Sequence, residues 1–458
     1  MQAETAGRRA NAPARPSLGD AVRFWVKLGF ISFGGPTGQI AIMHAELVEK
    51  RRWIGEGRFL HALNFCMLLP GPEATQLAIY CGWLLHRTWG GILAGVWFVL
   101  PAAAMLWGLS YVYVTYGGVA EVAAVFHGLK AAVLAVVVAA VLRIGKKALK
   151  NRAMWAIAAV AFGAIFFLGT PFPAIIAGAA LVGYVGGGRW VAVFNVVKGH
   201  GAGGTAGAAG RGRAVIDDDD VAGAHTRPSW GRAGQVIAVC GLLWWTPVVA
   251  LGLGLGWDGT LAQEGLFFSK AAMVTFGGAY AVLPYVAQQA VEHFSWLTAP
   301  QMLDGLGLAE TTPGPLIMVL QFVGFLGAFH HPGGWSPLVA ATVGAAITTW
   351  VTFVPCFLWI FLGAPHVEQL RKAVRLTCAL SAVTAAVVGV VLNLAVWFGW
   401  HVVRPAGASD GAGLIGGTDW FAVGLGLAAF AALQRWKLDV VPVVLGSGAL
   451  GLAWSWIG

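Results

Sequence analysis

Residues 33–39 read Phe33-Gly34-Gly35-Pro36-Thr37-Gly38-Gln39 and interrupt an apolar segment that begins at Phe24. Two adjacent glycines weaken a helix, and Pro36 removes a backbone donor while favouring the first position of a new helix. The stretch therefore predicts a helix broken inside apolar surroundings, and it recurs. Shifting the chain by 243 positions lays residues 24–72 on 267–315 without a gap, with 13 of the 49 positions identical. Phe33-Gly34-Gly35 falls on Phe276-Gly277-Gly278, and Pro70-Gly71-Pro72 falls on Pro313-Gly314-Pro315. Lys27 falls on Lys270, Glu49 on Glu292 and Trp53 on Trp296. Identities at Gly, Pro, Lys, Glu and Trp, rather than at filler Ala or Val, mark a duplication. Downstream the copies drift, with Pro101 and Pro355 a candidate pair after an insertion.

Composition sets the surroundings. Of 458 residues, 58% are hydrophobic and 11% charged, and the mean hydropathy is +0.73. A soluble domain carries roughly 25% charged residues. Apolar stretches near the ~20 residues needed to cross a bilayer recur, among them 90–113, 119–142, 236–255, 338–362 and 374–398. The expected fold is an all-α polytopic membrane protein: two inverted homologous halves with broken or re-entrant helices at the FGG and PGP motifs. Its 65 glycines fit, because small residues let membrane helices approach closely. The net charge of +9 does not point to nucleic acid, since Lys and Arg cluster between the apolar spans. Cys66, Cys81, Cys240, Cys356 and Cys378 lie in apolar segments without metal-like spacing and read as small buried hydrophobes.

Four parts are expected: a cytoplasmic tail (1–22), a first transmembrane repeat (23–190), a flexible cytoplasmic linker (191–232) and a second repeat (233–458) with one extra preceding helix. The tail carries Arg8, Arg9 and Arg15 and reads as uncleaved. The linker holds a Gly/Ala-rich stretch, 200–213, and the acidic run Asp217–Asp220, read as a solvated loop. In the first half Lys and Arg occupy the tail, 50–52 with Arg58, Arg87, 143–152 and 189–232, while the turns at 116–121 and 170–173 have none. In the second half residues 271–370 lack Lys and Arg, which return at Arg371, Lys372, Arg375, Arg435 and Lys437. Equivalent loops thus lie on opposite sides, as in an inverted repeat.

If residues 24–48 crossed the membrane fully, the basic tail and the basic loop at 50–58 would face opposite sides. A segment that enters half-way, breaks at Gly34-Gly35-Pro36 and returns removes the conflict. Ten residues of helix span about 15 Å, half of a ~30 Å hydrocarbon core. Residues 60–85 can do the same at Pro70-Gly71-Pro72, which leaves only Arg404 outside the cytoplasmic side. Two kinked spans per motif would preserve the inversion as well, and both arrangements stay open at this level.

Broken helices are tolerated at membrane depth only where protein or a wet cavity satisfies the freed backbone groups. Each break also aims free N–H groups and a positive dipole end inward, which favours an anion. Four such ends from an inverted pair make a site for a dianion; the plainer alternative is packing notches and kinks. Lys27 and Lys270 stand about two helical turns before each Gly-Gly. They are either intramembrane functional groups or snorkelling side chains. Polar lining candidates are Ser32, Thr37 and Gln39, then Thr275 and Tyr280, with Glu73, Thr75 and Gln76 after the first PGP and Glu310, Thr311 and Thr312 before the second. Ionised Glu73 and Glu310 repel a dianion. Apolar surroundings favour a neutral carboxyl, which makes both candidates for proton coupling; N-terminal capping is the alternative for Glu73. Glu49, Glu292, Trp53 and Trp296 read as interface anchors. Enzyme signatures are missing: His330-His331 has poor geometry for one metal, and no nucleophile with a base or nucleotide-binding loop is apparent.

Residues 33–41 with ELVEKRRW at 46–53, LPGP at 69–72, TFGGAYAVLP at 275–284 and TPGP at 312–315 together resemble the signature of the chromate ion transporter family, in its long two-domain bacterial form. The resemblance runs from Phe24 to the C-terminus. It implies secondary export of chromate across the bacterial inner membrane and chromate resistance, with sulfate as a competing analogue. It implies neither enzymatic activity nor a cofactor or metal. The implied partners are chromate or a sulfate-like oxyanion and the lipid bilayer, with a homodimer left open. Ala279 departs from the first copy, where Pro36 stands. Transport of another tetrahedral oxyanion, or a membrane enzyme acting on a phosphorylated lipid, are the competing functions.

Overall fold

The structure is a computed structural model describing residues 13–196, 214–217, 228–366, 374–404 and 417–457. Arg8, Arg9, most of the linker with residues 218–220, and Arg371 with Lys372 lie outside the described residues. In the first half the helices are α1 (Leu18–Ile31), α2 (Gly35–His44), α3 (Glu56–Cys66), α4 (Glu73–Tyr116), α5 (Ala120–Ala148), α6 (Arg152–Leu168) and α7 (Phe172–Arg189). After α8 (Trp230–Leu255) come α9 (Thr260–Val274), α10 (Ala279–Gln288), α11 (Ala299–Thr311), α12 (Val319–His330), α13 (Pro337–Gly363), α14 (Val374–Val403), α15 (Trp420–Gln434) and α16 (Val440–Ser455). Among the described residues the β pairing is an isolated bridge, Ile54 to Ile216.

The order of elements recurs. A short helix ends before each FGG; α2 and α10, ten residues each, follow and run into π-helical turns at Ala45–Lys50 and Gln289–His293. A third short helix then ends before each PGP. Six helices among the described residues are long and apolar enough to cross a membrane: α4, α5, α7, α8, α13 and α14.

The helix α4 is a hairpin rather than a rod. At His86 and Arg87 the backbone leaves the helical region, with φ −134° and +55°. A Cβ on Gly82 would sit 2.3 Å from the Gly90 carbonyl oxygen, and one on Gly90 would sit 2.2 Å from that of Gly82. In a straight helix eight residues span about 12 Å, so the chain has reversed. Residues 73–85, about 20 Å of helix, therefore fold back along 88–116. In the second half α12 returns into α13 through Gly333 and Gly334, both at positive φ. A Cβ on Gly344 would stand 2.5 Å from the Gly324 carbonyl there. In each half, helices too short to span flank the PGP motif.

Packing crosses between the halves. The first-half helix α5 lies against α15, α16 and α14, and the second-half helix α14 lies against α6 and α7. Glycines make these approaches close: Gly128 of α5 meets α16 at Ser447 and Gly451, Gly183 of α7 meets α14 at Cys378 and Ala379, and Gly389 of α14 meets α6 at Ala158. Dispersion between closely approaching backbones is what holds apolar helices together in lipid. The extra helix α8 packs on α13 and α9 at the periphery. All five cysteines are buried and unpaired.

Two expectations are corrected here. Trp53 and Trp296 are 6% and 2% exposed, so they are core residues and not interface anchors. They close matched aromatic clusters, Trp53 on Phe24 and Trp296 on Phe267, Phe268 and Phe294. The linker is also not free throughout, because Val215 and Ile216 donate backbone hydrogen bonds to Arg52 and Trp53, and α8 begins at Trp230.

A side chain at Gly128 would start 2.0 Å from the Ser447 carbonyl oxygen. Gly128→Val is expected to destabilise the detergent-solubilised protein by about 1–3 kcal/mol through overpacking, read as a lower melting temperature. Gly178→Ala, where an added carbon meets nothing within 4 Å, is expected to leave it unchanged or raised.

Candidate functional site

Four helix interruptions meet at one place. The helix α1 stops at Ile31, and Gly34 and Gly35 take φ +86° and +66°. In the second half α9 stops at Val274, and Gly277 and Gly278 take φ +82° and +95°. At the PGP motifs Gly71 and Gly314 take φ +118° and +102°. Such angles are cheap only for glycine.

The motifs of one half bond to those of the other. The Gly71 N–H donates to the Thr275 carbonyl at 2.7 Å, and the Gly314 N–H donates to the Ser32 carbonyl at 2.8 Å. Ser32 and Thr275 are equivalents in the 243-residue register, as are Gly71 and Gly314, so these two bonds form a reciprocal pair. The packing around them is reciprocal too. A Cβ on Gly71 would lie 3.3 Å from Cys356 Sγ, and one on Gly314 would lie 2.4 Å from Ala102 Cβ. Cys356 and Ala102 each follow the interior proline of a long helix, Pro355 or Pro101.

The polar lining does not share this symmetry. The Gln39 side-chain amide donates to the Gly314 carbonyl, and at 3.4 Å to that of Ser32. Gln76 donates to the Pro70 carbonyl at 2.7 Å. Their second-half equivalents are Val282 and Val319. Gln39, Thr75 and Gln76 are fully buried, and Thr75 Oγ1, Gln39 Oε1 and Gln76 Oε1 have no protein partner. The N-terminal residues beside the breaks (Gly34, Pro72, Gly278 and Pro315) provide no side-chain cap. The first N–H groups of the helices they begin therefore remain for another acceptor.

The carboxyls gather on one flank. Tyr280 donates its hydroxyl hydrogen bond to Glu310, and Glu73 Oε1 lies 3.8 Å from where a Cβ of Gly278 would be. The charge of Arg143 reaches Glu310 and that of Lys147 reaches Glu73, both from α5. Glu73 is half-buried and does not cap α4, whose N-cap is Pro72. Glu310 is 6% exposed.

Several expected donors are spent. The hydroxyls of Ser32 and Thr275 donate to carbonyls four residues back, each at 2.6 Å. Those of Thr311 and Thr312 donate three residues back, at 2.9 and 3.1 Å. Ser and Thr near a helix C-terminus satisfy otherwise orphaned carbonyls in this way, so Thr75 is the buried hydroxyl left to donate. Phe33 and Thr37 are exposed, and Phe276 is half-buried. Lys27 and Lys270 are both exposed. Lys27 lines an open cavity of about 440 Å³ with Arg15, Arg23, Arg51 and Asp20, at the tail end of α1 and away from the breaks. There the Ser17 hydroxyl holds the Asp20 carboxyl below its usual range.

Comparison with known proteins agrees with this duplicated frame. The family model described as "Chromate transporter" matches residues 19–184 and 262–452. The chain belongs to this family. The two matched stretches cover the two series of elements, and α8 falls between them. A "Chromate transport protein" of Pseudomonas aeruginosa is 32% identical over 431 residues, 93% of this chain and 90% of that one. A "Chromate transport protein" of Cupriavidus metallidurans is 29% identical over 379 residues, 82% and 81% of the two chains. A "Probable chromate transport protein" of Synechococcus elongatus is 27% identical over 387 residues, 84% and 85% of the two chains. No solved structure matches. Gly34, Gly35 and Gly71 lie inside the first matched region, and Gly277, Gly278 and Gly314 inside the second.

Alanine at Gly35 is expected to cost about 1–2 kcal/mol for its left-handed backbone, since nothing lies within 4 Å of the added carbon. At Gly314 the clash with Ala102 adds about 1–3 kcal/mol. Thermal unfolding in detergent checks the order, and a milder effect at Gly314 would contradict the reciprocal packing.

Proposed function

We propose that this protein is a secondary transporter that exports chromate across the bacterial cytoplasmic membrane and thereby confers chromate resistance. The observation that carries the reading is the reciprocal pair of hydrogen bonds, Gly71 to Thr275 and Gly314 to Ser32. It joins the FGG break of each half to the PGP break of the other, with Gln39, Thr75 and Gln76 buried beside them. A tetrahedral dianion there is met by N–H groups at the starts of α2, α4 and α10 and by the Thr75 hydroxyl. Fixed dipoles bind an oxyanion without permanent buried cations, so its release is not opposed by a salt bridge. The printed names of the relatives support chromate as the anion.

The two halves, 23–190 and 233–458, are read as an inverted repeat joined by the cytoplasmic linker. The reversal at His86–Arg87 supports re-entrant pairs: α3 enters from the basic loop at 50–58, turns at Pro70-Gly71-Pro72 and leaves through 73–85 to Arg87. Glu310 with Tyr280, and Glu73, flank the anion position from the side of Arg143 and Lys147. The basic C-terminal end of α5, with Arg143, Lys146 and Lys147, supports the cytoplasm as that side. Protonation of Glu73 and Glu310 offsets the charge of an incoming dianion.

Inverted membrane vesicles are expected to accumulate radiolabelled chromate under an imposed proton gradient, with excess sulfate competing. Sulfate accumulation without chromate would keep the architecture and replace the substrate; no movement of either anion by folded protein would overturn the transporter reading. Thr75→Val removes a hydrogen bond to a charged ligand worth about 1.5–3 kcal/mol. Its half-saturating chromate concentration is expected to rise roughly tenfold to a hundredfold at similar expression.

A further inference from the structure

A second buried polar cluster stands apart from the breaks. Asp304 on α11 is 3% exposed. Its Oδ2 accepts a hydrogen bond from the Tyr113 hydroxyl at 2.9 Å, and its Oδ1 lies 3.5 Å from Lys130 Nζ. Lys130 is ten residues into α5, about 15 Å from its start and inside the apolar span at 119–142. An ionisable pair inside such a span is expensive and is retained where charge must change. The pair joins the halves, because Tyr113 and Lys130 belong to the first and Asp304 to the short helix α11 that leads to the second PGP. It has no mirror image. The 243-residue register puts His61 opposite Asp304, and the 254-residue offset of the later helices (Pro101 to Pro355, Ala120 to Val374) puts Thr384 opposite Lys130.

The cluster also adjoins an exposed stretch of α5. His127, one turn before Lys130 on the same face of α5, has a side chain 40% exposed and pairs with Asp419 at the start of α15. This end of α5 adjoins the turn at 116–121, which carries no Lys or Arg, so it faces away from the cytoplasm. The groups facing Asp304 can be named for each packed element. From α5 there is Lys130 and from α4 Tyr113. The helix α16 has no ionisable side chain, α12 has His330 at its end, and α14 has Arg375, Cys378 and His401 toward its ends.

We propose that Asp304, with Lys130 and Tyr113, is a proton-binding site on the periplasmic side, separate from the anion site, whose occupancy opens the contact between α5 and α11. A proton from periplasmic water reaches the carboxylate along the His127 face of α5 and adds to a carboxylate oxygen, forming the neutral acid. The Lys130 ammonium then loses its counter-charge and turns to the exposed side of α5. With the ion pair gone, α11 separates from the first half, and the second PGP is reached from the periplasm. Loss of the proton re-forms the pair and closes that side. Asp304 touches no substrate, so it is a positioning residue acting through α11.

The inference rests on the transporter reading, and two readouts keep the two apart. The full chain is reconstituted in liposomes with chromate on both sides. Exchange of labelled chromate is followed against external pH, and carboxyl protonation by infrared difference spectroscopy. The wild type is expected to accelerate by up to about tenfold per unit of acidification, the limit for one bound proton. A protonated-carboxyl band should appear over the same range. Asp304→Asn is expected to exchange chromate at a rate independent of pH, without the band. The double variant Lys130→Gln with Asp304→Asn carries no unpaired buried charge and serves where the single variant does not fold. A merely structural bridge predicts that it regains both stability and the wild-type pH profile; the proposal predicts recovered stability and a flat profile. An Asp304→Asn protein that keeps the wild-type profile and band overturns the proposal. If the wild type exchanges no chromate yet shows an Asp304-dependent band, the proton site stands and the assigned substrate falls.

Discussion

A helix interrupted inside apolar surroundings leaves N–H and C=O groups without partners, and water is not there to supply them. The bonds from Gly71 to Thr275 and from Gly314 to Ser32 meet this constraint by making each half the solvent of the other. Much of the molecule is arranged around that exchange. Both PGP glycines must take positive φ to aim their N–H groups across the interface, and both must lack a side chain to lie against Cys356 or Ala102. The prolines at 101 and 355 stand next to those contacts, where a helix has already lost a backbone hydrogen bond.

The same exchange appears at the scale of whole helices. The helix α5 lies against α15 and α16, the final helix pair of the second half, α14 lies against α6 and α7, the final pair of the first, and α5 and α14 lie against one another. Contacts through Gly128, Gly183 and Gly389 let those backbones nearly touch. The result is a symmetric frame carrying asymmetric chemistry. Gln39 and Gln76 face valines across the register, Glu73 faces Leu316, and Glu310 faces Met67.

Much of this was legible in the residues. The 243-residue register, the breaks at FGG and PGP and the buried positions of Gln39, Thr75 and Gln76 follow from motif spacing and from the chemistry of Gly and Pro. The placement of Lys27 was not legible. A lysine two turns before a break reads equally as a site residue or a surface one, and the fold puts it among Arg15, Arg23 and Arg51. Hydroxyls were over-read, because Ser32, Thr275, Thr311 and Thr312 have carbonyls three or four residues back to satisfy first. Trp53 and Trp296 have the composition of interface anchors, and only their aromatic neighbours show them to be core. The cluster of Asp304, Lys130 and Tyr113 carried one available signal, a lone lysine inside the apolar span at 119–142.

By itself the sequence determined a duplicated, helical membrane protein with interruptions at four places, since periodicity, charge and backbone stereochemistry are local properties. Which interruption answers which was decided by tertiary structure. Hydrogen bonds between residues some 200 positions apart depend on how the halves dock, and no local pattern encodes that docking. The pairing of Gly71 with Thr275, of Gly314 with Ser32 and of Lys130 with Asp304 exists only once the halves have docked.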